Sequence, residues 1–552
     1  MDSDSASDQE SLIQSSEEDF GSSEYESEED EVCIDDVRDW CKVKSSEKSC
    51  APPKFPFLGD PGIKATFYDE RDPLEYFRLF FNDQIMDHIV IETNRYADQY
   101  LETAHLTPSS RSLKWKETDA EEMHRFISLL LLQGITQKPV ERWFWSKRPS
   151  ITTPFYGRVM SSTRFSLIMK FLHFVNNETI DASYPAPKLK KIYDIHNMLT
   201  KNFQSAYVPE EELSIDESLL AYNGLLGWKQ YIPTKRARFG IKMYELCESR
   251  SGYIWNSIIY TGKDTAFKDI YAHFGLSTKS VMTLAHDLLG KGYTIVTDNF
   301  YTSPELADLL IKEKTDIYGT IKANRKGLPA EIRKKEKLEK GQIVAYQKGK
   351  MCVMKWQDKK TVCMLSTIHN ADTVNIGADD RIKTKPVMVH EYNSTMGGVD
   401  RSDQCLSYYS ITRDQQRKYY KKIFRHLLSQ SVWNAFVIFK KNGGTLSHVN
   451  FRLRLIERLI EHSGELKCVP NRSVGVKASE NILRLTGRHF PSYVTNNSTS
   501  KQYPVRKCVV CGSKTNDNGK RIRRETRFQC EECNVGLCAV PCFKIYHTSQ
   551  AF

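Results

Sequence analysis

Apolar residues recur at helical spacing from Asp72 onward: Pro73, Leu74, Tyr76, Phe77, Phe80 and Phe81, then Ile85 and Ile89. The pattern predicts one helix running through this stretch. Thr118-Asp119-Ala120-Glu121 reads as a capping box ahead of Met123, Phe126, Ile127 and Leu130. Ser162 or Thr163 is placed as the cap of a helix reaching Leu172, and another helix is expected over 192–203. Trp143, Phe144 and Trp145 read as packing residues. Residues 60–207 are thus expected to be mostly helical.

The period then changes. Strands are expected at 211–216, 241–248, 253–260, 293–298 and 317–322, with helices at 279–289 and 303–313. Ser303 is the N-cap of the second helix and Pro304 its first residue. Strands followed by a crossover helix and a further strand predict an α/β domain. Short strands at 343–346, 351–356 and 361–367 form a strand-rich insertion, behind a basic stretch that includes Arg325 and Lys326. Helices return at 417–440 and 450–461, and the polar residues 471–506 read as a linker.

Charge divides the chain. The formal net charge is +10, yet residues 1–36 hold fifteen Asp or Glu and no Lys or Arg, so the remainder carries +25. The acidic, serine-rich start cannot bury enough apolar surface to fold. The basic remainder suits a polyanionic partner. Four acids among the first ten residues argue against a signal peptide. No apolar run approaches the length of a membrane span, so no membrane partner is expected. Of fourteen cysteines, six crowd into Cys508–Cys542, which argues for a metal rather than disulfides.

Four carboxylates stand where packing alone asks for none. Asp216 lies in the apolar strand Glu212-Leu213-Ser214-Ile215-Asp216-Glu217, and Asp298 directly follows Thr294-Ile295-Val296-Thr297. Asp400 and Asp403 are three apart and share one face of a helix. Glu217 points to the opposite side of its strand and is left out. Phosphoryl transfer on DNA uses two divalent ions held by carboxylates from separate elements, and Mg²⁺ or Mn²⁺ suits such an oxygen site.

These stretches closely resemble piggyBac-type transposases. The matches are Leu213-Ser214-Ile215-Asp216-Glu217, Tyr231-Ile232-Pro233-Thr234-Lys235-Arg236 with Phe239-Gly240-Ile241-Lys242, Asp298-Asn299-Phe300-Tyr301, and Met396-Gly397-Gly398-Val399-Asp400-Arg401-Ser402-Asp403-Gln404. The resemblance implies an α/β, RNase H-like catalytic domain with an inserted strand-rich module, a flanking helical domain and a C-terminal cysteine-rich zinc module. It divides the chain into an acidic tail (1–58), a helical dimerisation and DNA-binding domain (59–207, continued at 446–470), a catalytic domain (208–323 and 387–445) interrupted by the insertion (324–386), a linker (471–506) and the zinc module (507–552). It implies a nuclear homodimer that excises DNA through hairpin ends and joins it at TTAA targets. Asp216, Asp298 and Asp400 fall on the family's catalytic positions and Asp403 on its additional acid. Lys235, Arg236 and Lys242 are candidate DNA-phosphate contacts, as are Arg325 and Lys326. The alternative is a domesticated, sequence-specific DNA-binding protein without transposition activity.

Cys508-x₂-Cys511, Cys530-x₂-Cys533, Cys538, Cys542 and His547 form a zinc signal. A single-ion ribbon using the two CxxC pairs is the simplest solution. A two-ion cross-brace needs eight ligands, one more than these seven. Arg521, Arg523 and Arg524 between the pairs suit DNA phosphates and can also serve nuclear import. By resemblance, this module recognises transposon ends.

Overall fold

A ten-stranded mixed sheet runs through the larger of two compact units, which divide the chain between Leu466 and Lys467 in this computed structural model. The structure describes residues 40–43, 50–179, 184–233, 235, 237–336, 338–377, 383–413, 416–464, 489–494, 504–515 and 522–549. The acidic stretch 1–36, Arg236 and Arg521 lie outside the described residues.

The strands are β1 (Cys41–Lys42), β2 (Glu212–Ala221), β3 (Gln230–Tyr231), β4 (Phe239–Glu248), β5 (Ile254–Ile259), β6 (Thr294–Thr297), β7 (Asp316–Thr320), β8 (Ile343–Lys348), β9 (Met351–Gln357) and β10 (Thr361–Ser366). Their order is β1-β8-β9-β10-β7-β6-β2-β4, and β3 and β5 both pair with the other side of β4. β6 runs parallel to β2 and to β7, and the other pairings are antiparallel. The run β5-β4-β2-β6-β7 is the RNase H-like arrangement. Every residue of β6 is buried, as a parallel strand covered on both faces requires.

The inserted strands β8–β10 join this sheet. β10 pairs with β7 through Met364 and Thr320. Met354, Trp356 and Met364 then share a core with Val296, Tyr318, Met388 and Tyr392. β1, within the segment assigned to the acidic tail, pairs with β8, and Trp40 beside it is buried, its indole N–H donating to Gly327 O at 2.9 Å. Part of that segment is therefore docked on the domain, through this strand and through Phe57, which packs edge-on against Tyr293.

The helices before the sheet are α1 (Pro73–Arg78), α2 (Asp83–Thr103), α3 (Ala120–Thr136), α4 (Pro154–Val159), α5 (Ser162–Phe171) and α6 (Tyr193–Ala206). The single helix expected from Asp72 is two. Asn82 restarts it, its side chain accepting the Ile85 N–H at 3.1 Å, because a short polar side chain competes for the backbone. The cap of α3 is Asp119, which accepts the Glu122 N–H at 2.7 Å, and that of α5 is Ser161; both lie one residue from the expected positions. Phe144 is buried and Trp145 half-buried, but Trp143 is exposed.

The later helices are α7 (Leu276–Ala285), α8 (Pro304–Lys312), α9 (Val387–Thr395), α10 (Gly398–Tyr408), α11 (Tyr419–Lys441) and α12 (His448–His462). α8 is the crossover that parallel β6 and β7 require. It starts as expected, with Ser303 Oγ accepting the Leu306 N–H at 3.1 Å, and buries Leu306, Ala307 and Leu310. α11 is buried on nearly every face. Among the described residues no helix is long and apolar enough to cross a membrane.

Candidate active site and zinc unit

Strand register brings Asp216 and Asp298 together. Ile215 of β2 pairs in parallel with Thr297 of β6, so the next residue on each chain emerges at the same end of the sheet. There Asp298 closes a tight turn. Its Oδ1 accepts the Phe300 N–H at 3.0 Å, and its carbonyl accepts the Thr302 N–H at 3.1 Å. Gly319 on β7 makes room for the turn, since a Cβ there would lie 2.0 Å from Thr297 O. Arg325, expected as a DNA contact, clasps the turn: it donates to Asn299 O at 3.0 Å and to the Phe300 carbonyl.

α10 packs against β2 and β4 and carries the other two acids. Gly398 explains the close approach: a Cβ there would lie 2.2 Å from Ser214 Oγ and 3.0 Å from Glu248 O. Asp400 stands in the first turn of α10, where the helix dipole favours a negative charge. Asp403 Oδ1 accepts the Ser218 hydroxyl at 2.7 Å. Ser218 is two residues beyond Asp216 and so on its face of the strand.

Burial makes Asp216, Asp298 and Asp403 reluctant to ionise. The Asp216 carboxyl is pushed well above its ordinary range by burial and then by Asp298. Asp298 is raised to about 6 by burial and then by Glu217. Asp403 is raised to about 6 by burial, against the opposing Ser218 bond. Lys235 is their internal counter-ion. Its Nζ lies 4.0 Å from Asp400 Oδ1 and donates to Glu217 O at 3.2 Å. Burial works against its charge, but Asp216, Asp400, Asp403 and Glu217 outweigh that and raise its pKa. Lys242 pairs with Glu217 at 2.8 Å and sits over the Phe300 ring. Of the basic residues expected to meet DNA, Lys235, Lys242 and Arg325 therefore line the acid site. Lys326, Arg523 and Arg524 are exposed.

Two further acids belong to this neighbourhood. Glu217, set aside on strand alternation, still acts on Asp298 from the strand end. Glu245 of β4 sits opposite Asp216 in the antiparallel register and is fully buried. Its Oε1 accepts the Gln430 amide at 2.7 Å, its Oε2 has no hydrogen-bond partner, and its carboxyl is raised to about 8 by burial and then by Asp403. The signal was an acid inside the apolar run Met243-Tyr244-Glu245-Leu246. Glu248, three residues on and equally buried, differs. Tyr207, Ser251, Lys441 and the Glu210 N–H all bond it, and its carboxyl is held low despite burial.

The second unit contains β11 (Pro491–Tyr493), β12 (Arg506–Lys507), β13 (Glu525–Thr526), β14 (Phe528–Cys530), β15 (Val535–Gly536) and α13 (Cys542–Thr548). Two tetrads of donor atoms form within it, each with all its atoms inside 4.8 Å: Cys508, Cys511, Cys538 and Cys542, and His489, Cys530, Cys533 and His547. The CxxC pairs are thus split, not joined in one ribbon. The eighth donor is His489, from the segment read as linker. β11 explains its place: Pro491 pairs with Cys530, carrying His489 to the second tetrad.

The donor chemistry fits zinc. Cys511 Sγ lies 3.5 Å from Cys542 Sγ and 3.9 Å from Cys538 Sγ. A tetrahedral ion with Zn–S near 2.3 Å has an S–S edge of about 3.8 Å. In the other tetrad His489 Nδ1 lies 3.5 Å from Cys530 Sγ, and His547 Nε2 lies 3.6 Å from Cys533 Sγ. His547 Nδ1 donates to Phe543 O at 2.8 Å, which turns Nε2 towards Cys533. Among the described residues no three acids of the sheet meet the same 4.8 Å distance.

An RNase H-like sheet with acids at its parallel strand ends and on the closing helix defines a transposase-type catalytic fold. The model of the Transposase IS4 family matches residues 72–436, and that of the DDE_Tnp_1-like zinc finger matches residues 486–548, a span that includes His489. The chain belongs to the piggyBac-type transposase family. It is 26% identical over 526 residues to PiggyBac transposable element-derived protein 3 of Homo sapiens, covering 92% of this chain and 81% of that protein. PiggyBac transposable element-derived protein 2 of Homo sapiens is 27% identical over 391 residues, covering 68% of this chain and 63% of that protein. Among solved structures, the piggyBac transposase synaptic complex with hairpin DNA shares the fold at a TM-score of 0.65 and 23% identity, over 86% of this chain and 97% of that one.

Proposed function

We propose that the chain is a cut-and-paste DNA transposase that acts through Asp216, Asp298 and Asp400, with Asp403 as the supporting acid. The parallel register of Ile215 with Thr297 carries this reading, because it aims two carboxylates from separate strands at one point under α10. The donors are hard oxygens, which fit Mg²⁺ or Mn²⁺. When bound, such ions supply positive charge at the attacking and leaving oxygens of the DNA strand. The rigid sheet fixes the direction of Asp216 and Asp298, and the turn clasped by Arg325 keeps Asp298 in place. Lys235 balances the acids and is positioned to turn to a DNA phosphate. Ser218 holds Asp403 towards the site. No group of the protein needs to form a covalent bond to DNA.

The wider programme follows the family resemblance: hairpin ends, joining at TTAA, a homodimer at work in the nucleus, and end recognition by the zinc unit with one Zn²⁺ in each tetrad. The test is excision from a donor plasmid carrying candidate ends, with sequencing of the repaired donor. Asp216→Asn, Asp298→Asn and Asp400→Asn should each reduce cutting by at least about a thousandfold (~4 kcal/mol) while DNA binding persists. Full cutting by any one of them would remove that residue from the site. Binding without any cutting by the unaltered chain would leave the domesticated DNA-binding form.

A further inference from the structure

Away from the acids, a cavity of about 380 Å³ opens in the helical layer. Arg111, Arg142 and Lys170 line it, together with the hydroxyls of Ser112, Ser162 and Thr163. The three cations come from separate elements: Arg111 from the turn Arg111–Lys114, Arg142 from the turn Glu141–Trp145 and Lys170 from the end of α5. The lining holds no carboxylate. Lys235, Lys242, Arg164 and Arg425, by contrast, each face an acid. Like charges gathered without compensation repel, and an incoming anion removes that cost.

The walls are shaped for an oxyanion. Ser112 is 4% exposed, and its Oγ accepts the Lys170 ammonium at 2.6 Å, so its own proton remains available to an acceptor. Lys170 is held over the Tyr100 ring at 4.0 Å, which fixes where its charge points. Ser162 and Thr163 open α5, whose first backbone N–H groups have no partner inside the helix. Arg111 and Arg142 are exposed, so the cavity opens to solvent past two of its cations. Cations and hydroxyl-bearing residues around an open cavity match a phosphate of a nucleic-acid backbone.

We propose that this cavity holds a backbone phosphate of bound DNA, at a site separate from the acids and indifferent to base sequence. The proposal rests on the reading that the chain binds DNA. The phosphodiester is favoured over a soluble phosphate monoester because two of the three cations are exposed at the rim, within reach of a continuing backbone.

The test uses the full chain and a mixed-sequence duplex without divalent ions, with affinity measured across a salt series. Arg142→Ala combined with Lys170→Gln should weaken binding and reduce the slope of log affinity against log salt by about 1 for each phosphate no longer neutralised. Ser166→Glu, at an exposed position of the same cavity, should weaken binding similarly by putting an anion in place of the phosphate. An unchanged slope in both cavity variants overturns the proposal. So does binding of inorganic phosphate that Lys170→Gln removes while the DNA slope stays the same, which would assign the cavity to a soluble monoester. Failure of the DNA reading itself looks different: the unaltered chain then shows no salt-dependent binding to the duplex.

Discussion

The zinc unit and the acid site solve the same problem, converging polar ligands, in opposite ways. The buried core of the zinc unit is Cys508, Val510, Cys530, Leu537, Cys542 and Tyr546. Half of those residues are ligands, so little apolar surface remains to hold the unit without an ion. In the larger unit an extensive core spans the helices and the sheet, with a second cluster around Met354, Trp356 and Tyr392, and the acids are fixed by strand register and by Gly398. That core holds the carboxylates at a cost, seen in the raised pKa values of Asp216, Asp298 and Asp403 and in the ammonium of Lys235 among them. On the proposed reading, zinc completes the fold in the first case, whereas in the second the fold stands by itself and carries the acids.

The largest effect that separates the two regions is chelation. Structural zinc contributes about 10–16 kcal/mol in small zinc-binding peptides, so its removal should abolish hydrogen-exchange protection across 489–549. Protection in the sheet should be unchanged. Protection of Cys530 and Leu537 that survives chelation would break the comparison.

A smaller effect sharpens it. His489→Ala should lower the zinc content from two ions per chain to one, as counted by native mass spectrometry, and leave the Cys508 tetrad loaded. Two ions in the variant would mean that His489 is not the eighth ligand.

The smallest effect concerns the cost carried by the larger unit. Glu245 is raised to about 8 in the fold, above its ordinary value of about 4.5. The folded state therefore holds an extra proton between those values, and stability falls as pH rises from about 4.5 to about 8. Glu245→Gln removes that contribution, so its melting profile should be flatter over this range and higher at pH 8, by on the order of 1–3 kcal/mol. Parallel profiles for the two proteins would show that Glu245 carries no such cost.

Much of this was legible in the chain. The strands around Asp216 and Asp298, the start of α8 at Ser303 and the long α11 follow from local period and capping, which neighbouring residues set among themselves. The cysteine pairs were legible for the same reason: their spacing is local. What escaped was set across distance. The helix expected from Asp72 broke at Asn82 because a side-chain cap competed with the period. Lys235 and Arg325 look like surface cations in sequence, and only the folded sheet gives them acids and carbonyls to hold.

By itself the sequence singled out the candidates for the chemistry: the four aspartates, the CxxC pairs and the strands that run into acids. Tertiary structure decided which of them meet. It set Asp216 beside Asp298 through the pairing of Ile215 with Thr297, split the cysteine pairs between two tetrads, and drew His489 to Cys530 from forty-one residues away. Residue type and local spacing are written in the chain, whereas register and convergence come from the pairing and packing of distant segments, which no single segment contains.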